Sequence, residues 1–248
     1  MKKILALTLA LTMVLTLAAC GGGNTDPSTE ATTEPTEEQT EAPTTEPTEE
    51  QTEAPTEEQT EAPTEINAEL TGAMGTVEGS VYTNELFGIS LQLPEGWSFA
   101  TAQELALAAG LTENMFDDTA IGALVETGAA PTIMLAMDEL GTSNINMNVQ
   151  KLTEDLSAGL DEYTTMTAEL MPALLESSGM TVSNMETKQA NFAGESRLGI
   201  AYDVEISGVA MSQFIYFLAA DDYLATVTFN APTVEEVDAM VAYFAPIG

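Results

Sequence analysis

The sequence predicts an α+β domain, a mostly antiparallel sheet flanked by helices, over residues 76–248. Three observations carry that prediction. Leu198, Ile200, Tyr202, Val204 and Ile206 alternate with Gly199, Ala201, Asp203, Glu205 and Ser207, the period-2 pattern of a strand with one buried face. Two apolar runs, 209–219 and 223–230, follow across the turn residues Gly208 and Asp221-Asp222, which makes a meander whose first long run is a central strand. Thr101 with Glu104 and Thr233 with Glu236 each form the Thr-x-x-Glu box that starts a helix. Strands come in blocks between helices, so strand neighbours in the chain pair antiparallel.

In chain order, Lys2 and Lys3 precede an uncharged run over residues 4–17. Fourteen residues fall short of the roughly 20 that span a bilayer, so residues 1–19 read as a secretory signal. Leu17-Ala18-Ala19-Cys20 resembles the bacterial lipobox. That resemblance implies a diacylglyceryl group on the thiol of Cys20 and a cut just before it. Cys20 is the only cysteine and has no disulfide partner; the plain alternative is an ordinary signal that leaves a stray thiol. Two acyl chains anchor stably where one binds marginally.

Residues 20–75 read as a lipid-anchored linker. After Gly21-Gly22-Gly23, TEPTEEQTEAPT fills residues 33–44 and recurs at 45–56, with a shortened EEQTEAPT at 57–64. Such a unit has no apolar face to bury, so disorder is expected and a solenoid is not. In polyproline II at about 3.1 Å per residue, some 45 residues reach roughly 140 Å. A stalk that holds the domain clear of the surface follows, and its threonines also suit O-linked sugars.

In the domain, 77–84 and 87–93 read as two strands around a turn, the second ended by Pro94-Glu95-Gly96-Trp97. A short helix from the Thr101 box stops at Gly110, and a second covers 113–126, with Thr112 as its cap and Gly128 beyond its end. Strands at 132–137 and 144–151 flank a turn at 141–143. Leu160, Tyr163, Leu170 and Leu174 mark a longer helix. Pro172 inside it costs about 3 kcal/mol in a helix interior and predicts a kink or break. After the meander, Val234, Val237, Met240, Val241 and Phe244 make one apolar helical stripe.

The phrases Phe87-Gly88-Ile89-Ser90-Leu91-Gln92-Leu93-Pro94-Glu95-Gly96-Trp97, Asn144-Ile145-Asn146-Met147-Asn148-Val149, Phe192-Ala193-Gly194 and Val227-Thr228-Phe229-Asn230-Ala231-Pro232 resemble the PsbP-like family. The resemblance implies an α-β-α sandwich over nearly the whole domain. It also implies a binding or assembly subunit, without fixed catalytic residues to transfer. The stretch 110–128 is longer than a minimal member needs.

Charge narrows the partners. The chain carries −35, and loss of Lys2 and Lys3 with the signal leaves 3 basic against 40 acidic side chains, or −37. Phosphate backbones are bound by Lys and Arg with release of counterions, so nucleic acid is excluded. Adhesion to anionic lipid is disfavoured for the same reason, which leaves the lipid on Cys20 as the membrane link. There is no histidine, which removes the usual general base, the usual transition-metal ligand and any Ser-His-Asp or Cys-His arrangement.

The remaining chemistry reads blandly. With 40 acidic residues, some carboxylate pair has almost any spacing, so glycosidase-like pairs carry no signal. Asp117-Asp118, Glu154-Asp155 and Asp221-Asp222 invite calcium, yet each falls where turns and helix ends favour Asp anyway. Lys151, Lys188 and Arg197, the domain's only cations, suit an anion site or simple pairing with carboxylates. Trp97 after its turn is the weak candidate for stacking on a sugar or peptide, against a packing role. Many of the 13 methionines sit at apolar-periodic positions and read as flexible core filler rather than as a sulfur metal box.

The sequence thus reads as an extracytoplasmic lipoprotein of a single-membrane envelope, non-enzymatic and without cofactor or metal, whose domain binds or scaffolds an envelope protein or glycan. A solute-capturing lipoprotein for a transporter is the alternative, and a carboxylate-dependent wall or glycan hydrolase the third.

Overall fold

The computed structural model describes residues 73–108, 118–153, 155–206 and 208–247. The signal, Cys20 and the linker as far as residue 72 lie outside the described residues, as do the Gly110 stop, the Thr112 cap, Asp117 and Glu154. The elements are β1 (Thr76–Glu78), β2 (Val81–Asn84), β3 (Ile89–Gln92), β4 (Trp97–Phe99), α1 (Ala102–Ala108), α2 (Asp118–Glu126), β5 (Thr132–Asp138) and β6 (Asn144–Lys151). A 3-10 turn (Ser157–Gly159) leads into α3 (Leu160–Ser177), then β7 (Thr181–Phe192), β8 (Glu195–Ile206), β9 (Val209–Ala220), β10 (Tyr223–Ala231), α4 (Val234–Val241) and β11 (Phe244–Pro246).

The strands form two sheets, β1-β2-β3-β11 and β4-β5-β6-β10-β9-β8-β7. Every pairing is antiparallel. This is the α+β class with helices on both faces of the larger sheet. One face, with Met147, Tyr216 and Phe229, packs against Leu91 and Phe244 of the smaller sheet, Val237 and Met240 of α4, and Ile121 and Val125 of α2. The other carries Ile200, Ile215 and Phe217 under Tyr163, Met171 and Leu175 of α3. All nine residues of β10 are buried, as a strand in mid-sheet requires. Phe192 stacks on Tyr216 at 4.6 Å and meets Phe244 at 4.8 Å, which ties β7, β9 and β11 into one aromatic cluster.

The structure corrects four expectations. Residues 77–84 form two strands, because Gly79 adopts φ +61 and turns the chain. Residues 181–192 form a twelve-residue strand that the pattern did not announce. Only Phe192 of that strand is buried, so its side chains alternate without an apolar face. The α4 stripe breaks at both ends. Val234 is 48% exposed, and the N–H groups of Ala242 and Tyr243 donate to Ala239 and Met240 carbonyls in a tightened last turn, after which Phe244 pairs with Leu91. Finally, α3 runs unbroken through Pro172 to Ser177. Met171 and Leu175 are buried on either side of the proline, and their packing on the sheet holds the two turns together.

Candidate functional site

Thr233 caps α4, its Oγ1 accepting from Glu236 N at 3.3 Å. Val237 and Met240 then seat the helix on the sheet, which leaves Asp238 beside the outer strands. On β8, Gly199 lacks the Cβ that would collide with Cε2 of the Phe214 ring, so the ring can lie close against the strand. On β7 a bulge between Ser183 and Glu186 bends the edge, with Asn184 at φ +53. Asn is one of the few residues that tolerates this left-handed geometry.

Between these parts lies a cleft of about 370 Å³. Asp203 is its fixed centre. Ser212 Oγ donates to Asp203 Oδ1 and Asn184 Nδ2 donates to Oδ2, each at 2.7 Å. Lys188 Nζ stands 3.3 Å from Asp238 Oδ1 and 5.7 Å from the centroid of Phe214, so the ammonium is held by one carboxylate and one aromatic face. Burial, with Asp238 adding to it, pushes the Tyr216 phenol up. The cleft therefore offers an oriented carboxylate, an ammonium, an amide and a hydroxyl over an aromatic floor. That set makes directional hydrogen bonds, and the Ser212 hydroxyl is turned onto a carboxylate in a chain with no imidazole to activate it.

The residues singled out in the sequence are scattered. Trp97 opens β4, half-buried, its ring edge-to-face with Tyr243 at 5.9 Å. It stands at the opposite edge of the sheet from β7, six strand spacings away and four from the β9 residues that line the cleft, or roughly 19 Å at the nearest. Lys151 pairs with Glu126 at 2.9 Å and Asp222 at 3.7 Å, and Arg197 with Glu195 at 2.5 Å. Of the three cations, Lys188 alone lines the cleft. Asp221, with φ +51, and Asp222 make the β9–β10 turn. Among the described residues no group of three or more acidic, Cys or His side chains could hold a metal ion. Asn184, Asp203, Ser212 and Asp238 escaped sequence reasoning. A signal for them existed in Gly199 and Ala201, since small residues on the supposedly solvent-facing side of a strand indicate that something packs there.

No family model matches the chain, and no curated protein matches it. Among solved structures it is similar to the cyanobacterial PsbP (CyanoP) of Synechocystis sp. PCC 6803, at 13% identity and a TM-score of 0.40, over 69% of this chain and 96% of that one. It is also similar to a protein of Bacteroides thetaiotaomicron VPI-5482, at 8% identity and a TM-score of 0.35, over 64% of this chain and 45% of that one. Both likenesses concern the path of the backbone, and no function is carried over from either.

Proposed function

We propose that the domain is a non-enzymatic binding or scaffolding module for an envelope component, held at the extracytoplasmic face of a cell membrane by lipid on Cys20 and set off from it by the acidic linker. The observation that carries this reading is the cleft around Asp203, whose carboxylate is fixed by two hydrogen bonds beside the Lys188–Asp238 pair and the Phe214 ring. Pre-oriented polar groups around an aromatic floor are what recognition of a hydrogen-bonding partner requires. A second reading, capture of a small solute, is favoured by the cleft's volume, which falls within the usual range for ligand pockets.

The test is crosslinking of the full chain in native membranes, read by mass spectrometry, with Asp203→Asn and Trp97→Ala for comparison. Asp203→Asn keeps the shape and removes the charge, and is expected to lower recovery of the partner at least tenfold while Trp97→Ala leaves it unchanged. Recovery that depends on Trp97 and not on Asp203 moves the site to β4. Recovery of no partner, together with a metabolite-induced rise in melting temperature, decides for solute capture; a ligand at 100 times its Kd stabilises by about 2.7 kcal/mol.

A further inference from the structure

The larger sheet ends on β7, which among the described residues pairs with β8 alone. A long outer strand presents unpaired N–H and C=O groups, and proteins usually guard such an edge with charge or a bulge. Here the bulge lies towards the strand's start, at Ser183/Glu186, and the register is regular from Glu186 to Phe192. Glu186 and Lys188 are the only charges on the strand. Lys188, the residue best placed to guard it, is folded back onto Asp238 and Phe214. The strand is thus neutral overall in a domain that, over residues 76–248, carries 25 acidic and 3 basic side chains. Two of those three cations belong here, Lys188 on β7 and Arg197 on β8, the latter opposite Ala190 of β7. β7 itself therefore adds no net charge to repel a second copy of this acidic chain.

We propose that β7 is a self-docking edge, to which a second copy of this chain adds its own β7 antiparallel about a two-fold axis through Thr187. The charges select that register. With Thr187 opposite Thr187, each Glu186 faces the other copy's Lys188, and two equivalent ion pairs form across one axis as Lys188 exchanges its exposed pair with Asp238 for the facing Glu186. An axis through Glu186 or Lys188 sets like charges opposite each other, which destabilises an antiparallel pair, whereas opposite charges and Thr–Thr pairs favour it. Met185 then faces Gln189, and the left-handed Asn184 ends the ladder beyond it on both sides. A two-fold interface uses one patch twice, so nothing beyond this edge is needed to close the dimer. Glu186 and Lys188 also line the cleft, but the pairing rests on the edge and its charges and not on what the cleft binds.

Disulfide trapping tests it in the full chain. Thr187→Cys places two thiols opposite each other, at a separation that an antiparallel pair can bridge. Mild oxidation is expected to yield a covalent dimer well above the parent chain, which reports any contribution from Cys20. Leu140→Cys, at a residue 82% exposed on the β5–β6 turn, is expected to stay at the parent's level. In the Thr187→Cys background, Glu186→Lys or Lys188→Glu should lower the yield at least tenfold, and the double exchange should recover it. Asp203→Asn should leave it unchanged, which separates this test from that of the cleft. Yield from Thr187→Cys no higher than from Leu140→Cys, or a yield indifferent to the charge reversals in variants with parental circular dichroism, overturns the proposal.

Discussion

Gly199 has no side chain, and that absence shapes the cleft. A Cβ there would clash with Cε2 of the Phe214 ring and stand 2.8 Å from the carbonyl oxygen of Ile215, closer than real Cβ contacts come. Phe214 is buried and in contact with Tyr216 at 4.5 Å, so the ring has little room to retreat. Forcing a methyl into such packing costs typically 1–3 kcal/mol. Gly199→Ala is therefore expected to lower stability by about 2 kcal/mol, read as a fall in the urea midpoint at unchanged slope, and Phe214→Leu in the same chain should return part of it. An unchanged midpoint would mean that the ring does not lie against Gly199 as described. Asn84 works the opposite way, through what it adds: fully buried, it donates to Ala73 O and Tyr82 Oη, each at 2.9 Å, and accepts from Phe87 N at 3.1 Å. One amide thereby ties the entry of the domain to the β2–β3 turn.

Two helices, α1 and α4, begin where local chemistry says they must. At α1, Thr101 N donates to Glu104 Oε2 at 2.7 Å and Glu104 N to Thr101 Oγ1 at 3.3 Å, the reciprocal pair of a capping box. The backbone N–H and then the hydroxyl of Thr101 hold the Glu104 carboxyl below its ordinary value. At α4 the cap is Thr233, and Thr233→Ala should cost about 1 kcal/mol in chemical denaturation, with Thr233→Ser restoring most of it. Capping boxes are short-range, so they were legible in the sequence, as were the span of β6 and the doubly buried β9 and β10. β7 was not, because an edge strand under only partial cover needs no apolar alternation and its twelve residues look like linker. β11 was hidden for a related reason. Phe244 falls on the helical spacing of Val237 and Met240, and only its long-range partner Leu91 claims it for a strand. The cleft depended on the hidden strand β7 and its bulge, so one of its polar residues, Lys188, was foreseen and Asp203 was not.

For the whole molecule, the buried phenols set an alkaline limit. Burial pushes Tyr82 up against an opposing hydrogen bond from Asn84, and it raises Tyr163, Tyr202 and Tyr216 as well. The unfolded groups ionise near pH 10. The stability tied to their neutral forms is fully present below that pH and is lost as pH rises through the folded values, at about 1.4 kcal/mol per tyrosine per pH unit. Lys151, raised by its hydrogen bond to Glu126 and by nearby charges against the opposing effect of burial, has the same sign. Absorbance of phenolate near 295 nm should therefore appear together with loss of the far-ultraviolet dichroism, in one cooperative step above pH 10. Phenolate that appears well before unfolding would show these rings to be open to solvent.

The smaller sheet also bears on the order of assembly. Its fourth strand, β11, pairs Phe244 with Leu91, more than 150 residues downstream, and Phe244 also fills the aromatic cluster with Phe192 and Phe229. Until β11 arrives, β1, β2 and β3 have one edge bare, and nearly the whole domain separates β3 from the strand that covers it. Closing so long a loop is slow relative to local pairing. Docking of β11 thus becomes the step that seals the core, and until it happens the outer edge of β3 and one side of the aromatic cluster stay uncovered.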